Sequence, residues 1–282
     1  MKFDTKKILI TGSSGYIGSH LTKILIDNNN ITVDGLDNRQ PLIPVTNFFN
    51  QNIIEDTNWN INEEYDCVIH LAAEVSVGRS VETPLLYYKT NILGTLNVLK
   101  KIKTKRLVIA STGAADGLKS PYGISKRAME DIVFEYCKDS NLPFTIFRFY
   151  NVIGSDNIQP TNPDGLFASL IQATKTGKFI IFGNDYNTID GTCIRDYSHV
   201  NEICNAIIQA IYESTNKVEN LGHGIGTSVK EIVKLFKKVN KSNFTIIYGP
   251  RRNGDIEVSV LENPSRFMKK MYSMEELLKV KL

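Results

Sequence analysis

Residues 7–18 read KILITGSSGYIG, an apolar run that leads into closely spaced glycines. Apolar residues then recur at helical spacing as far as Leu25, so this stretch predicts a strand, a tight turn and a helix. Glycine suits the turn because a side chain would block both the turn and the close approach of backbone to a pyrophosphate. The helix start would face that anion with unpaired N–H groups. In this context the glycines predict a dinucleotide site.

The rest of the first half alternates short β-branched runs with segments of helical periodicity. Strands are predicted at 31–36, 67–72, 106–112 and 144–151, and helices at 85–102 and from about 122 to 137. The runs at 67–72 and 106–112 are short and apolar, as in strands that are buried on both faces. This order predicts an α/β fold with a Rossmann-like, doubly wound parallel sheet.

The sequence changes character after Asn151, where a loop-like stretch rich in Asn and Pro begins. We therefore predict a dinucleotide-binding Rossmann domain over residues 1–151 and a smaller C-terminal α/β substrate domain over residues 152–282. Parts of 190–222 are expected to return and join the first domain. A total of 282 residues suits one nucleotide-binding domain with a smaller companion.

Composition excludes several classes of function. Hydrophobic and charged contents of 42% and 22% are typical of a globular protein, and the net charge of +3 is spread along the chain. We therefore expect no nucleic-acid partner. We expect no membrane span, because no apolar stretch approaches the required ~20 residues. The four cysteines show no CxxC spacing, and the N-terminus resembles no signal peptide, so we expect no metal site and a cytoplasmic location.

Asp37 ends the second predicted strand, at the usual spacing for an acid that binds the adenosine ribose. A carboxylate there accepts from both ribose hydroxyls and repels a 2′-phosphate, which favours NAD over NADP. The alternative is a solvated loop aspartate next to Asn38, and the nearby Arg39 keeps that alternative open.

Tyr122 and Lys126 lie one helical turn apart, on the same face of a predicted helix. A phenol titrates near pH ~10, and a nearby ammonium together with a cationic nicotinamide would lower its pKa toward that of a useful base. Ser111 and Thr112 end the preceding strand, where a hydroxyl can meet a substrate oxygen. Strand, hydroxyl and helix together predict a catalytic site.

The chain also resembles a known family. TGSSGYIGSH, HLAAEVSVGRSVETP, YYKTNILGTLNVL, SPYGISK, FRFYNVIG, FGNDYNTIDGT, RDYSHV and PRRNGD follow one another over nearly its whole length. Together they closely resemble UDP-glucose/UDP-galactose 4-epimerases, which are extended short-chain dehydrogenases/reductases. The resemblance implies that Tyr122 removes the C4 hydroxyl proton while hydride passes from C4 to NAD. Lys126 would lower the Tyr122 pKa and hold the nicotinamide ribose, and Thr112 would bridge the sugar oxygen and Tyr122. The transient 4-keto sugar then rotates, and hydride returns to its other face.

The same resemblance assigns binding residues and an assembly. Matching motif positions imply NAD contacts at Gly12, Gly15, Tyr16, Ile17, Gly18, Asp37, Asn38, Asn52, Ile53, Leu71, Ala72, Ala73, Asn91, Tyr122 and Lys126. Positions that match the UDP-sugar site are Thr112, Asn151, Leu166, Phe182, Arg195, Arg252, Asp255 and Ser259. In the resembling family, the helices at 85–102 and 121–138 pair across a twofold axis, which implies a homodimer with a four-helix interface.

Several departures from the family pattern concern the substrate pocket. The connections 113–121 and 38–51 are shorter than usual, Asp116 stands where tyrosine is usual, and Val75 stands where some epimerases have lysine. Ser259 occupies the position that often holds a bulky residue beside the sugar. We therefore expect space for a 2-acetamido group, so that UDP-GlcNAc and UDP-GalNAc are accepted as well.

Other functions remain alternatives. A nucleotide-sugar dehydratase generally carries Asp-Glu directly after the strand-end threonine, whereas this chain has Gly113-Ala114. A decarboxylase on the same fold stays open. A deoxysugar reductase would need exchangeable NADPH, which Asp37 disfavours. The chain could also be a catalytically idle NAD-binding scaffold, although the retention of Thr112, Tyr122 and Lys126 disfavours it.

Overall fold

The computed structural model describes residues 5–214 and 216–280. The strands are β1 Lys6–Thr11, β2 Ile31–Asp37, β3 Phe48–Asn50, β4 Glu64–Tyr65, β5 Cys67–His70, β6 Lys103–Thr104, β7 Leu107–Thr112, β8 Phe144–Phe149, β9 Asn151–Ile153, β10 Lys178–Phe182, β11 Ile194–His199, β12 Lys217–Leu221, β13 Gly226–Ser228, β14 Thr245–Gly249 and β15 Val258–Ser259. The α-helices are α1 Tyr16–Ile26, α2 Val77–Glu82, α3 Pro84–Tyr88, α4 Gly94–Lys101, α5 Ala114–Gly117, α6 Pro121–Asp139, α7 Leu166–Thr176, α8 Val200–Ile211, α9 Val229–Val239 and α10 Met274–Leu278.

The main sheet contains seven strands in the order β12-β8-β7-β5-β1-β2-β3, and neighbouring strands are parallel. Successive side chains of a strand point to opposite faces of the sheet. Both faces of this sheet are covered by helices, so both sets of side chains are buried. In β1, Ile8 and Ile10 pack with α1 and α8, whereas Leu9 packs with α4 and α6. The prediction of a Rossmann-like, doubly wound sheet is confirmed.

The predicted helix at 85–102 is interrupted. Its middle turn, Lys89–Leu93, is π-helical and lies between α3 and α4. Such turns are rare and are frequent at functional sites. The predicted strand at 144–151 also divides, because Asn151 belongs to β9, which pairs with β11 rather than with the main sheet.

Besides the buried clusters on the two faces of the main sheet, a third hydrophobic cluster lies outside that sheet. Phe167, Phe179, Tyr197, Ile232 and Phe236 are buried there, among α7, α9, β10 and β11. The segment 190–222 contributes α8 and the edge strand β12 to the main sheet. Within the part of the chain that the structure describes, no helix combines the length and apolarity needed to cross a membrane.

Candidate active site

The glycine turn lies at the carboxyl end of β1. Gly12 has a φ of +74°, and a Cβ there would lie 2.7 Å from the Ala72 nitrogen. A Cβ on Gly18 would lie 2.2 Å from the Gly12 carbonyl oxygen, and one on Gly15 would lie 3.1 Å from the same oxygen. At Gly12 and Gly18 the nearest atoms all belong to the backbone, so the turn has no room for side chains there. This is the cradle that a pyrophosphate requires, so these residues fit NAD.

Asp37 lies beside this turn at the end of β2 and is buried. Its carboxylate accepts hydrogen bonds from the Ser14 nitrogen and the Arg39 nitrogen, each at 3.0 Å. Two oxygens offer about four acceptor positions, so capacity remains for ribose hydroxyls. The exposed Arg39 guanidinium is 3.5 Å from the Asp37 carboxylate, and Asn38 is exposed between them.

The other predicted NAD contacts fall into two groups. Leu71, Ala72 and Ala73 follow β5 and adjoin the glycine turn, where the Ala72 nitrogen donates to the Thr11 hydroxyl at 3.4 Å. Ile17 packs against the core on the α1 side, and the Tyr16 hydroxyl donates to the Gly154 carbonyl at 2.5 Å.

Asn52, Ile53 and Asn91 have side chains that are engaged with the protein. Asn52 accepts from the Ile54 nitrogen at 3.3 Å, and Ile53 is buried in close contact with Gly94. The Asn91 side chain accepts from the Glu74 nitrogen at 2.9 Å and donates to the Ser125 hydroxyl at 2.9 Å. Asn91 therefore ties the π-helical turn to the residues after β5 and to α6.

Thr112, Tyr122 and Lys126 are brought together at the carboxyl end of β7. The Thr112 side chain hydrogen-bonds the Tyr122 phenol, which lowers the Tyr122 pKa, but burial has the larger effect and raises that pKa to about 12. The protein by itself therefore holds Tyr122 as a neutral phenol near pH 7.

Lys126 lies deeper than Tyr122. Its ammonium donates to the Ala110 carbonyl oxygen at 2.9 Å, and burial lowers the Lys126 pKa to about 8. The pKa of Tyr122 is set by burial, which raises it, by the bond to Thr112, which lowers it, and by Tyr87, which raises it. The Lys126 ammonium is thus directed at the end of β7.

His70 is part of a buried hydrogen-bond chain. Its ring nitrogens lie 2.7 Å from the Thr11 hydroxyl and 2.9 Å from the Thr95 hydroxyl, which in turn donates to the Asn91 carbonyl. Burial lowers the His70 pKa to about 3. His70 is therefore neutral and structural at physiological pH, linking the glycine turn to the π-helical turn.

A cavity of about 440 Å³ lies between the end of β7, the start of α6 and the residues from α7, β10 and 252–259. Its lining includes every predicted substrate residue: Thr112, Asn151, Leu166, Phe182, Arg195, Arg252, Asp255 and Ser259. Tyr122 lines the same cavity. Residues from distant segments of the chain thus line one cavity beside the Thr112 and Tyr122 hydroxyls.

The charged wall of this cavity is organised around Asp255. Arg252 donates to its carboxylate at 2.9 Å and lies over the Phe182 ring at 4.8 Å. Arg195 lies 3.9 Å from the same carboxylate and donates to the carbonyl oxygens of Ile194 and Glu257. Two guanidinium groups against one carboxylate leave the wall positive, which suits a diphosphate.

The middle of α6 is joined to β7, β8 and α5 by an ion-pair network that we did not predict. Arg148 binds the buried Glu130 carboxylate with two bonds, at 2.9 and 2.6 Å, and also pairs with Asp116 on α5. Glu130 accepts as well from Ser111. The bonded pairs are 18 or more positions apart, so no sequence spacing revealed them.

Sequence reasoning also missed three residues around the cavity. Ser76 and Tyr150 line it directly. Tyr87, which is buried, packs its ring edge-on against Tyr122 with ring centroids 6.1 Å apart. An aromatic residue on a predicted helix resembles ordinary core, and only the packing reveals its partner.

Comparisons with known proteins show the family of this chain. The model of the NAD dependent epimerase/dehydratase family matches residues 8–222. A UDP-glucose 4-epimerase from Lactobacillus helveticus is 34% identical over 91% of this chain and 88% of its own length. A Bifidobacterium longum UDP-glucose 4-epimerase, solved with NAD⁺ and UDP, is 26% identical, with a TM-score of 0.84 and 96% of each chain covered. The UDP-Glc/GlcNAc 4-epimerase of Campylobacter jejuni is 28% identical, with a TM-score of 0.78 and 97% of each chain covered.

Proposed function

The chain belongs to the NAD-dependent epimerase/dehydratase family, and on that basis we propose that it interconverts the C4 epimers of UDP-hexoses, including UDP-glucose and UDP-galactose, with NAD as cofactor. The observation that carries this proposal is the single cavity that joins Thr112 and Tyr122 to the Arg195–Asp255–Arg252 wall. The named relatives act on UDP-sugars, which is the substrate class that this wall suits.

In this function, Tyr122 accepts the proton of the C4 hydroxyl and returns it after the sugar has turned over. Thr112 donates its hydroxyl hydrogen bond toward the phenol oxygen and so favours the phenolate. Lys126 on α6 holds a cofactor ribose. Bound NAD would serve as acceptor and then donor of the C4 hydride, and its cationic ring would supply positive charge beside the buried phenol.

The sugar nucleotide is held at its far end, so the hexose remains free to rotate. Arg195 and Arg252 bind the diphosphate as guanidinium forks, while Leu166 and Phe182 provide apolar contact for the nucleoside. Asn151 borders the catalytic end, where its amide donates to the Asp196 carbonyl at 3.3 Å. Holding the nucleotide firmly and the hexose loosely is what returning hydride to the opposite face requires.

The test is epimerisation itself. Purified protein with added NAD is incubated separately with UDP-galactose and UDP-GalNAc, and the anomeric proton signals are followed by NMR. We expect conversion to the C4 epimer, and loss of at least about a hundredfold in Tyr122→Phe, because a positioned general base contributes 10²–10⁴-fold. NAD binding without conversion of either sugar would refute the proposal and favour the idle scaffold.

We also propose that acetamido sugars are accepted. Ser259 lines the cavity and is in register with Arg195, so its short side chain leaves room on the wall that carries the arginines. Ser259→Tyr should selectively impair turnover of UDP-GalNAc, with Val258→Tyr as the control, because Val258 is exposed and lies outside this cavity. Equal losses on both sugar types in Ser259→Tyr would contradict this assignment.

A homodimer is proposed through the two helices beside the cavity. Exposed apolar side chains lie on α3 to α4, at Leu85, Leu93 and Leu96, and on α6, at Ile124 and Phe134. The Tyr136 hydroxyl joins the two helices by donating to the Leu99 carbonyl at 3.2 Å. An apolar surface on two packed helices favours pairing with a second copy.

The division into domains at residues 151 and 152 is also a proposal. It is supported by separate buried clusters on the main sheet and around α7 and α9, and by the return of α8 and β12 to the main sheet. A cytoplasmic location and the lack of nucleic-acid or membrane partners remain predictions from the sequence.

A further inference from the structure

Ser76 has a backbone conformation that residues with side chains rarely adopt. Its φ is +129° and its ψ is +119°. It lies between Val75 and Val77, and all three line the cavity that Thr112 and Tyr122 also line. A strained conformation of this kind persists only where the surroundings enforce it, and such conformations cluster at active sites.

Tyr87 is hydrogen-bonded to this part of the cavity wall. Its hydroxyl donates to the Val75 carbonyl oxygen at 3.2 Å, and its side chain also hydrogen-bonds the Ser76 side chain. The residue before this turn, Glu74, is fastened to the same helical segment by the two Asn91 bonds. The turn from 74 to 76 is therefore held along its length by one stretch of helix.

The other side of Tyr87 faces the proposed base. Its ring meets Tyr122 edge-on, with 73° between the ring planes. Asn91 reaches the same residue by another route, because Ser125 accepts from the Asn91 amide and donates to the Tyr122 carbonyl at 2.8 Å. One helical segment thus holds both the cavity wall and Tyr122.

We propose that Tyr87 is a positioning residue for the reaction, which holds the Val75–Ser76 wall and the Tyr122 ring in a fixed relation so that the sugar C4 hydroxyl meets the phenol oxygen. This inference rests on the proposed function. A shift of either element would misplace the hydroxyl while leaving the nucleotide wall around Arg195 and Arg252 in place.

The test compares Tyr87→Phe with Tyr88→Phe, its neighbour on the same helix. Tyr87→Phe keeps the ring and removes the hydroxyl bonds to Val75 and Ser76, so kcat should fall at least roughly 2- to 10-fold, the worth of one such bond. The KM for the UDP-sugar and the Kd for NAD should change less than twofold. Tyr88→Phe should leave all three unchanged.

The pH profile supplies a readout that a purely structural role would not move. Burial raises the pKa of Tyr122, and the Tyr87 ring supplies part of that burial, so the acid limb of kcat should move to lower pH in Tyr87→Leu. The groups that face Tyr122 are Thr112 and Tyr87, with Lys126 one turn along α6; those that act on Tyr87 are Glu74, Arg79, Asp164 and Ser76. All of these groups except Tyr87 itself remain in Tyr87→Leu.

Hydrogen exchange separates this inference from the proposed function. Amides 75–79 should exchange faster in Tyr87→Phe than in wild type or Tyr88→Phe, whether or not the wild type epimerises any sugar. Equal exchange and equal kcat in Tyr87→Phe and Tyr88→Phe would overturn the inference. An inactive wild type with the exchange difference intact would instead refute the proposed function alone.

Discussion

Replacing Gly12 with alanine should destabilise the protein and weaken NAD binding far more than the same replacement at Gly177. The two glycines have nearly the same φ, +74° and +72°, so the cost of placing alanine in the left-handed region is shared, at about 1–2 kcal/mol. They differ in surroundings. A Cβ at Gly12 meets the Ala72 nitrogen at 2.7 Å and its Cα at 2.9 Å, whereas a Cβ at Gly177 meets nothing within 4 Å.

Because the atoms near Gly12 belong to backbone, they cannot rotate away from the new methyl group. Overpacking of this kind adds about 1–3 kcal/mol, so the free energy of unfolding should fall by about 2–5 kcal/mol in Gly12→Ala and about 1–2 kcal/mol in Gly177→Ala. Urea unfolding followed by circular dichroism measures both values, and calorimetric titration measures the Kd for NAD. Equal destabilisation by the two changes, or an unchanged Kd in Gly12→Ala, would refute the reasoning.

Three further perturbations test the buried charges and the assembly. The free energy of unfolding should fall as the pH drops below 6.5, because the unfolded chain protonates His70 while the fold keeps it neutral down to about pH 3. The loss should be about 1.4 kcal/mol per pH unit for each proton. In His70→Gln the dependence of this free energy on pH, measured by urea unfolding, should be weaker, and an unchanged dependence would contradict the assignment. Arg148→Met should cost about 3–5 kcal/mol in urea because it leaves Glu130 buried without its partner, whereas Arg127→Met should cost under about 1 kcal/mol; similar losses would count against the network. Leu96→Glu should yield monomers in sedimentation experiments, whereas Val218→Glu, which is equally exposed on β12, should not; a dimer that survives Leu96→Glu would exclude this interface.

Local sequence patterns predicted most of the main sheet. The runs at 7–11, 31–36, 67–72 and 106–112 are short, apolar and β-branched. Each overlaps an observed strand, namely β1, β2, β5 and β7 in that order. They could be read alone because a strand buried on both faces needs apolar residues at every position. The π-helical turn at Lys89–Leu93 escaped the same reasoning, since the apolar stripe continues through it and only the hydrogen bonding changes.

The same distinction between local patterns and long-range packing applies to the candidate site. Gly12, Gly18, Asp37 and the Tyr122–Lys126 pair were accessible from sequence, because their chemistry depends on neighbours in the chain or on one helical turn. The direction of the Lys126 ammonium was not accessible, since it depends on where β7 ends relative to α6.

The sequence by itself therefore determined the parallel sheet, the glycine turn and the candidate reactive side chains, all of which follow from short-range periodicity and backbone sterics. Only the tertiary structure decided that Arg195 and Arg252 share Asp255, that Arg148 neutralises the buried Glu130, and that Tyr87 lies against Tyr122. These contacts join segments that are distant in the chain. Their geometry depends on how whole elements pack, and no local pattern encodes that packing.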